Sequence, residues 1–563
     1  MAKERKSLGE SLVDDGIITA EQLKEVQAQE RKTGQRLRKV IVSMGLIDEA
    51  DLVEFLSNKC GVPRIELDNY LIDPKIIELL PEELARKHEI IPVLKIGNRI
   101  TCAMVDPWNI FALDEVRAKT NLVVEPAVAT ESEIKQALDE HYGARGSMEE
   151  ILETISKEKT GIKEGKEIDI NMLAGIVKEP VVIKLVNLTI MDAVRQGASD
   201  IHIEPEEEAL KVRFRVDGVL HEVPSPPKHL QSAIISRIKI MANLDIAERR
   251  IPQDGRCNIK MEGRQIDIRV SCVPTIYGEN VVLRLLDVAT ALLTMDKLGL
   301  GEENVERYQK LIGRPHGLVL VTGPTGSGKT TTLYASLDKI NTVDKNIITV
   351  EDPVEYKLAG IRQIQVNSKV NLTFANALRS ILRQDPNVIM VGEVRDSETA
   401  DIAIHAALTG HLVFSTLHTN DAAGAITRLI DMGIEPFLVS SSVLAVLAQR
   451  LVRTICPECK EEYLPSKEEI KDIGLPEEGR FKFYKGKGCP KCVETGYRGR
   501  IGIYELMVID EKVRNLITAK APTGEIKKAA QAQGMITLKE DGIRKAMKGL
   551  TTVEEVLRVT QEN

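Results

Sequence analysis

Residues 323–330 read Gly-Pro-Thr-Gly-Ser-Gly-Lys-Thr and satisfy the pattern G-x-x-x-x-G-K-T at every fixed position. Gly323, Gly326 and Gly328 let successive backbone N–H groups turn inward around phosphate oxygens, with Pro324, Thr325 and Ser327 between them. Lys329 brings a point charge toward the β- and γ-phosphates, and the Thr330 hydroxyl suits Mg²⁺. Thr331 begins a stretch suited to the helix whose N-terminus receives the anion. This is the chemistry of a nucleoside triphosphate site.

Two further strand ends carry acids. Residues 347–355 read Ile-Ile-Thr-Val-Glu-Asp-Pro-Val-Glu, and residues 387–393 read Asn-Val-Ile-Met-Val-Gly-Glu. Carboxylates at the C-terminal ends of central parallel strands face the ligand crevice. Glu351, Glu355 and Glu393 are therefore candidates for contacts to Mg²⁺ and its waters, or for polarising an attacking water. A capped helix start is the plainer reading of the first group. His418 ends a third apolar run, Leu412–Leu417, and suits a γ-phosphate sensor; a satisfied core histidine is the alternative, as it is for His411. Arg379 and Arg383 lie one helical turn apart, on one expected helix face. Arg269 and Arg284 sit in two apolar strands upstream, and guanidinium forks suit phosphate oxygen pairs.

Cys456-Pro-Glu-Cys459 and Cys489-Pro-Lys-Cys492 form two C-x₂-C knuckles with 29 residues between them. Four paired thiolates are what tetrahedral Zn²⁺ requires, with no position left open for catalysis. The remaining cysteines, Cys60, Cys102, Cys257 and Cys272, are isolated and read as apolar residues.

The elements that must position these groups follow from the chain as a whole. Its 563 residues predict roughly three or four domains, and 43% apolar content allows large cores. The formal net charge of -8 argues against a general nucleic-acid binder. No apolar run reaches membrane-spanning length and none at the N-terminus resembles a signal, so a cytoplasmic protein is expected. Residues 436–452 are the most apolar long segment and read as a buried helix. The first sixty residues repeat at an interval of 29, each copy a helix, a glycine turn and a second helix. Residues 62–143 read as a small α/β docking unit, 144–172 as a Gly-, Lys- and Glu-rich linker, and 173–290 as a second α/β domain. The tail 523–559 reads as two or three short helices.

The ordered set of phosphate loop, acidic box 349–355, acidic strand 387–393 and histidine box 409–420 resembles the secretion ATPase superfamily of type II secretion and type IV pilus assembly. The segments 198–205 and 249–256 fit the same family. The resemblance implies a multidomain α/β protein: a RecA-like P-loop core at 291–563, a preceding PAS-like α/β domain, an N-terminal helical-repeat domain and a four-cysteine zinc module. It implies ATP hydrolysis with Mg²⁺ in a homohexamer, Lys329 and Thr330 on phosphate and metal, and Glu355 or Glu393 activating water. It carries Arg269 and Arg284 over as phosphate-approaching arginines of the preceding domain, and Arg379, Arg383 and Arg500 as others. Partners would be an inner-membrane platform protein and pilus or secretion assembly proteins, placing the chain at the inner face of the cytoplasmic membrane, with no nucleic acid. The zinc knuckles and long N-terminal region fit both pilus-assembly and type II secretion enzymes. Residues 1–60 resemble an N-terminal domain of which some members bind cyclic di-GMP. Here Ser7-Leu8-Gly9 and Arg36-Leu37-Arg38 open the two copies, and Glu30 and Lys59 stand near their ends. A plain helical adaptor is the alternative. A nucleic-acid translocase and a non-hydrolysing nucleotide-binding scaffold are the competing functions.

Overall fold

A computed structural model describes residues 8–142, 180–287, 293–476 and 481–561. The expected linker 144–172 lies outside the described residues. The chain divides into two units, Met1–Asp287 and Val288–Asn563.

The first unit begins with the repeat: α1 (Leu8–Asp14), α2 (Ala20–Thr33), α3 (Leu37–Ser43) and α4 (Glu49–Cys60). Leu12, Val26, Ile41, Leu52 and Leu56 share one core. Thr19 and Gln22 close a reciprocal cap at the start of α2, at 3.2 and 2.8 Å. Asp48 stands before α4 without an equivalent side-chain bond. In the small α/β unit, β1 is Tyr70–Leu71, β2 Ile90–Ile96, β3 Arg99–Met104 and β4 Val123–Val128. Between β1 and β2 stand two short helices, Pro74–Ile77 and Glu82–His88. Pro81 separates them, because proline lacks the N–H that a continuous helix needs.

The following segment supplies β5 (Ala198–Pro205), β6 (Leu210–Val216), β7 (Val219–Val223), β8 (Gln253–Met261), β9 (Arg264–Thr275) and β10 (Gly278–Asp287). They form a seven-stranded sheet in the order β1-β8-β9-β10-β5-β6-β7, so the small unit lends its first strand to this sheet's edge. Helices Pro180–Arg195 and Gln231–Met241 pack on its apolar face around Ile201, Phe214, Ile268 and Leu283.

The second unit is built on β11 (Gly317–Thr322), β12 (Ile347–Glu351), β13 (Arg362–Gln365), β14 (Val388–Val391), β15 (Leu412–Leu417), β16 (Val443–Ile455) and, after the β17–β18 hairpin (Lys460–Tyr463 and Phe483–Gly486), β19 (Tyr497–Val508). The sheet order is β13-β12-β14-β15-β11-β16-β19, parallel except for β19. This is a RecA-like core. Its strands are covered on both faces, so they read as continuous apolar runs.

That burial explains one misreading. The segment 436–452 is not one helix. It is a short helix, Pro436–Ser442, followed by β16, which pairs in parallel with β11. A strand buried on both faces lacks the period-two signature that separates strand from helix.

The C-terminal helices Thr523–Ala532, Leu538–Met547 and Val553–Thr560 pack on this sheet. Glu555 ties the last of them to β16. It accepts from Arg453 Nη2 at 2.6 Å and from Arg558 Nε at 2.8 Å. Burial raises its carboxyl, but the two guanidinium groups outweigh that and bring it down to about 2. Its stabilising contribution is therefore full above the ordinary carboxylate range and is lost as pH falls toward 2. Glu555→Gln is expected to destabilise the second unit by about 3 kcal/mol, because Arg453 remains without its counter-charge. Denaturant unfolding of the two proteins at pH 7 checks this, and the difference should shrink in acid.

Candidate active site

β11 lies between β15 and β16, and the chain crosses to β12 on the far side of β14. The phosphate loop therefore leaves its strand at the carboxyl edge of an open parallel sheet, where such folds bind ligands. The loop's shape demands glycine. Gly323 has φ 150° and Gly328 φ 85°. A Cβ on Gly323 would meet the Gln449 carbonyl oxygen at 2.4 Å, and one on Gly328 would meet Gln449 Nε2 at 2.8 Å. Helix Lys329–Ile340 starts directly at the loop, so Lys329, Thr330 and Thr331 occupy its first turn. Lys329 Nζ donates to the carbonyls of Gly323 and Pro324 at 2.8 and 3.0 Å. The Ser327 hydroxyl is buried with no partner. A glycine loop running straight into a helix N-terminus, with an unmatched buried hydroxyl and a lysine, fits a triphosphate.

Glu393 follows β14 and comes to this loop. His418 Nε2 lies 3.3 Å from Glu393 Oε2, and Arg395 pairs with the same carboxylate. Burial lowers the Lys329 pKa; Glu393 opposes that shift and Arg450 adds to it. Lys329, Glu393 and His418 thus converge from three strand ends. Thr419 holds the histidine segment against β11, its hydroxyl 2.7 Å from that of Thr322.

The other site residues lie on further elements. Glu351 is 3% exposed and its carboxylate is engaged inside the protein by Tyr334, by Thr349 at 2.6 Å and by Gln363 at 3.2 Å. Burial, reinforced by Glu351, raises the Tyr334 hydroxyl far above its ordinary value. Glu355 follows β12 on a loop, where its N–H approaches the Tyr334 hydroxyl at 3.4 Å. Arg379 lies on helix Phe374–Ile381 and pairs with Glu398. Arg383 is not on that helix: the helix ends at Ile381 and Arg383 occupies the following turn, its N–H on Ser380 at 3.1 Å. The shared helix face expected for the two arginines is therefore not formed. Arg500 is exposed on β19.

In the first unit, strand register brings Arg269 and Arg284 side by side. Arg269 on β9 is opposite Arg284 on β10 and opposite Arg256 on β8. Like charges directly opposite destabilise a sheet. Asp200 accepts from Arg284 Nε at 3.1 Å, and Asp267 lies 4.0 Å from Arg269 Nε. Arg256 was not singled out from the sequence, because only the pairing register reveals its neighbours.

The four cysteine Sγ atoms lie within 4.8 Å of one another, with Cys456–Cys489 at 3.8 Å, Cys459–Cys492 at 3.9 Å and Cys489–Cys492 at 3.6 Å. Roughly 2.3 Å metal–sulfur bonds in a tetrahedron place sulfurs about 3.8 Å apart, so the set fits a closed four-thiolate metal site. Burial raises the Cys492 thiol, yet N–H donors from Gly496 and Cys489 bring it down to about 7.

A family model described as type II/IV secretion system protein matches residues 177–558, more than half of the chain. The chain belongs to the type II/IV secretion system protein family. Among curated members, the type IV pilus assembly ATPase PilB of Myxococcus xanthus is 48% identical over 98% of both chains. The type II secretion system protein E of Xanthomonas campestris is 46% identical over 98% of this chain and 96% of that one. The DotB ATPase of Yersinia pseudotuberculosis, 21% identical, shares the fold with a TM-score of 0.51 over 67% of this chain and 93% of that one. This family member is accordingly an ATP-hydrolysing P-loop enzyme. Among the described residues no helix is long and apolar enough to cross a membrane.

A second family model, the MshEN domain, matches residues 60–148. It falls on the small α/β unit rather than on the helical repeat from which the N-terminal resemblance was drawn. The repeat's Arg36 and Arg38 are engaged with that unit: Arg36 Nη1 lies 3.0 Å from Glu89, and buried Arg38 pairs with Glu89 as well. Lys39 pairs with Glu131 at 2.7 Å.

Proposed function

We propose that this secretion-family ATPase works as a homohexamer that converts ATP to ADP and phosphate to drive type IV pilus assembly through an inner-membrane platform protein. The observation that carries the chemistry is the convergence of Lys329, Glu393 and His418 at the phosphate loop. Lys329 turns from the loop carbonyls to the β/γ-phosphates. Glu393 orients the attacking water, and His418, beside it, registers loss of the γ-phosphate. Thr330 would hold Mg²⁺, which would supply neutralisation of the charge developing on the phosphates. Arg269 and Arg284, with Arg256 beside them in the strand register, are the family's candidate phosphate-approaching arginines. The near-full-length likeness to a pilus assembly ATPase supports the choice of output. Type II secretion is the second reading, favoured by 56% identity over 68% of this chain to the type II secretion system protein E of Pseudomonas aeruginosa. Deleting the gene separates them: loss of surface pili with normal exoprotein release supports the first, and the reverse supports the second.

Zn²⁺ is the metal assigned to Cys456, Cys459, Cys489 and Cys492. Bound there, it closes the excursion between β16 and β19. Elemental analysis should find about one zinc per chain, and Cys489→Ser/Cys492→Ser should lose it and unfold at lower temperature. Metal-free protein of equal stability would contradict the assignment.

Cyclic di-GMP is the candidate effector of the first unit, where Arg38, Lys39, Glu131 and Lys135 line a cavity of about 430 Å³. It would have to displace the carboxylates now on Arg38 and Lys39. Calorimetric titration of the full chain showing no heat excludes it.

A further inference from the structure

The strand that replaces the expected helix puts two unassigned polar residues against the phosphate loop. In the β11–β16 register Thr322 is opposite Ala448, so Gln449 and Arg450 flank the first loop residues. Gln449 is 2% exposed, an unusual place for an amide. Its Oε1 accepts from Thr332 Oγ1 at 2.7 Å, in the first turns of the helix that follows the loop. Its backbone carbonyl oxygen and its Nε2 fill the spaces where side chains on Gly323 and Gly328 would stand. One residue therefore braces both ends of the loop, through its backbone at Gly323 and its side chain at Gly328, and the same side chain holds the helix behind it.

Arg450 faces the histidine box. Its Nη2 donates to Asn420 Oδ1 at 3.0 Å, while Nη1 is buried with no partner. Asp421, next in the chain, is committed to Lys527 at 2.8 Å and to the Gly424 N–H at 2.9 Å. A guanidinium nitrogen that is both buried and unmatched is costly, so its retention calls for a role.

We propose that Gln449 and Arg450 are positioning residues of the ATP site: Gln449 fixes the shape of the phosphate loop, and Arg450 fixes Asn420, and with it the histidine box, beside that loop. Successive residues of one strand then join the part that holds phosphate to the part that follows its loss. The inference rests on the ATPase reading for its turnover arm only, because nucleotide affinity is measured without hydrolysis.

The test uses full-length Gln449→Leu, Arg450→Met, Asn420→Ala and the Arg450→Met/Asn420→Ala double variant, with wild type and Lys329→Ala alongside. Gln449→Leu should weaken binding of a fluorescent ADP and raise KM for MgATP by about tenfold or more, since a loop misplaced by about 1 Å loses its alignment. Arg450→Met should lower kcat by about tenfold with KM little changed. Asn420→Ala should match it, and the double variant should be no worse than either. If Gln449→Leu does not fold, Gln449→Met, which keeps an unbranched chain of similar length, takes its place. Unchanged ADP affinity in a folded Gln449 variant overturns the first part. Independent, multiplying losses from Arg450 and Asn420 overturn the second. Absence of turnover in wild type would instead overturn the ATPase reading and leave the affinity result to decide for Gln449.

Discussion

Lys329→Ala is expected to reduce Mg²⁺-dependent phosphate release by about 10²–10³-fold or more, the loss typical of removing one donor from a preorganised anion site. Among the described residues its Nζ donates to the loop carbonyls of Gly323 and Pro324 alone, so little structural energy depends on it. The thermal midpoint and the metal content should therefore stay at wild-type values. Phosphate release under saturating ATP, with calorimetric unfolding of the same samples, checks both halves.

Glu393→Gln is expected to lose about 10²–10⁴-fold in turnover while still binding ATP, as befits loss of a general base. The carboxylate lies 3.3 Å from His418 and pairs with Arg395, so the amide keeps the shape but not the charge of this group. Glu355→Gln should cost less, because Glu393 sits beside His418 while Glu355 lies on the loop after β12. Single-turnover kinetics on the two variants separates the contributions. Equal losses would mean that both acids act on the water.

The loop, the acidic strand end 387–393, the histidine box and the cysteine knuckles were legible in the sequence because each is a local pattern whose chemistry fixes its meaning. Three features were not. β16 reads as a helix because both its faces are buried, and that hid Gln449 and Arg450. Glu351 looks like a ligand-facing acid from its place at a strand end, yet Tyr334, Thr349 and Gln363 draw its carboxylate inward. Thr349 is two residues away on the same strand, but Tyr334 and Gln363 come from other elements that only tertiary packing brings in. The arginine row exists through pairing register, which joins Arg256, Arg269 and Arg284 across strands. Arg383, by contrast, was placed on a helix by spacing alone, and the helix stops two residues earlier.

That arginine row bears on the proposal that Arg269 and Arg284 take part in ATP turnover. The direct measurement is MgATP turnover by full-length Arg269→Ala/Arg284→Ala beside wild type, in hexamers of matched size. The account predicts a loss of about 10²-fold or more with unfolding of the first unit unchanged. Wild-type turnover in that variant would contradict it.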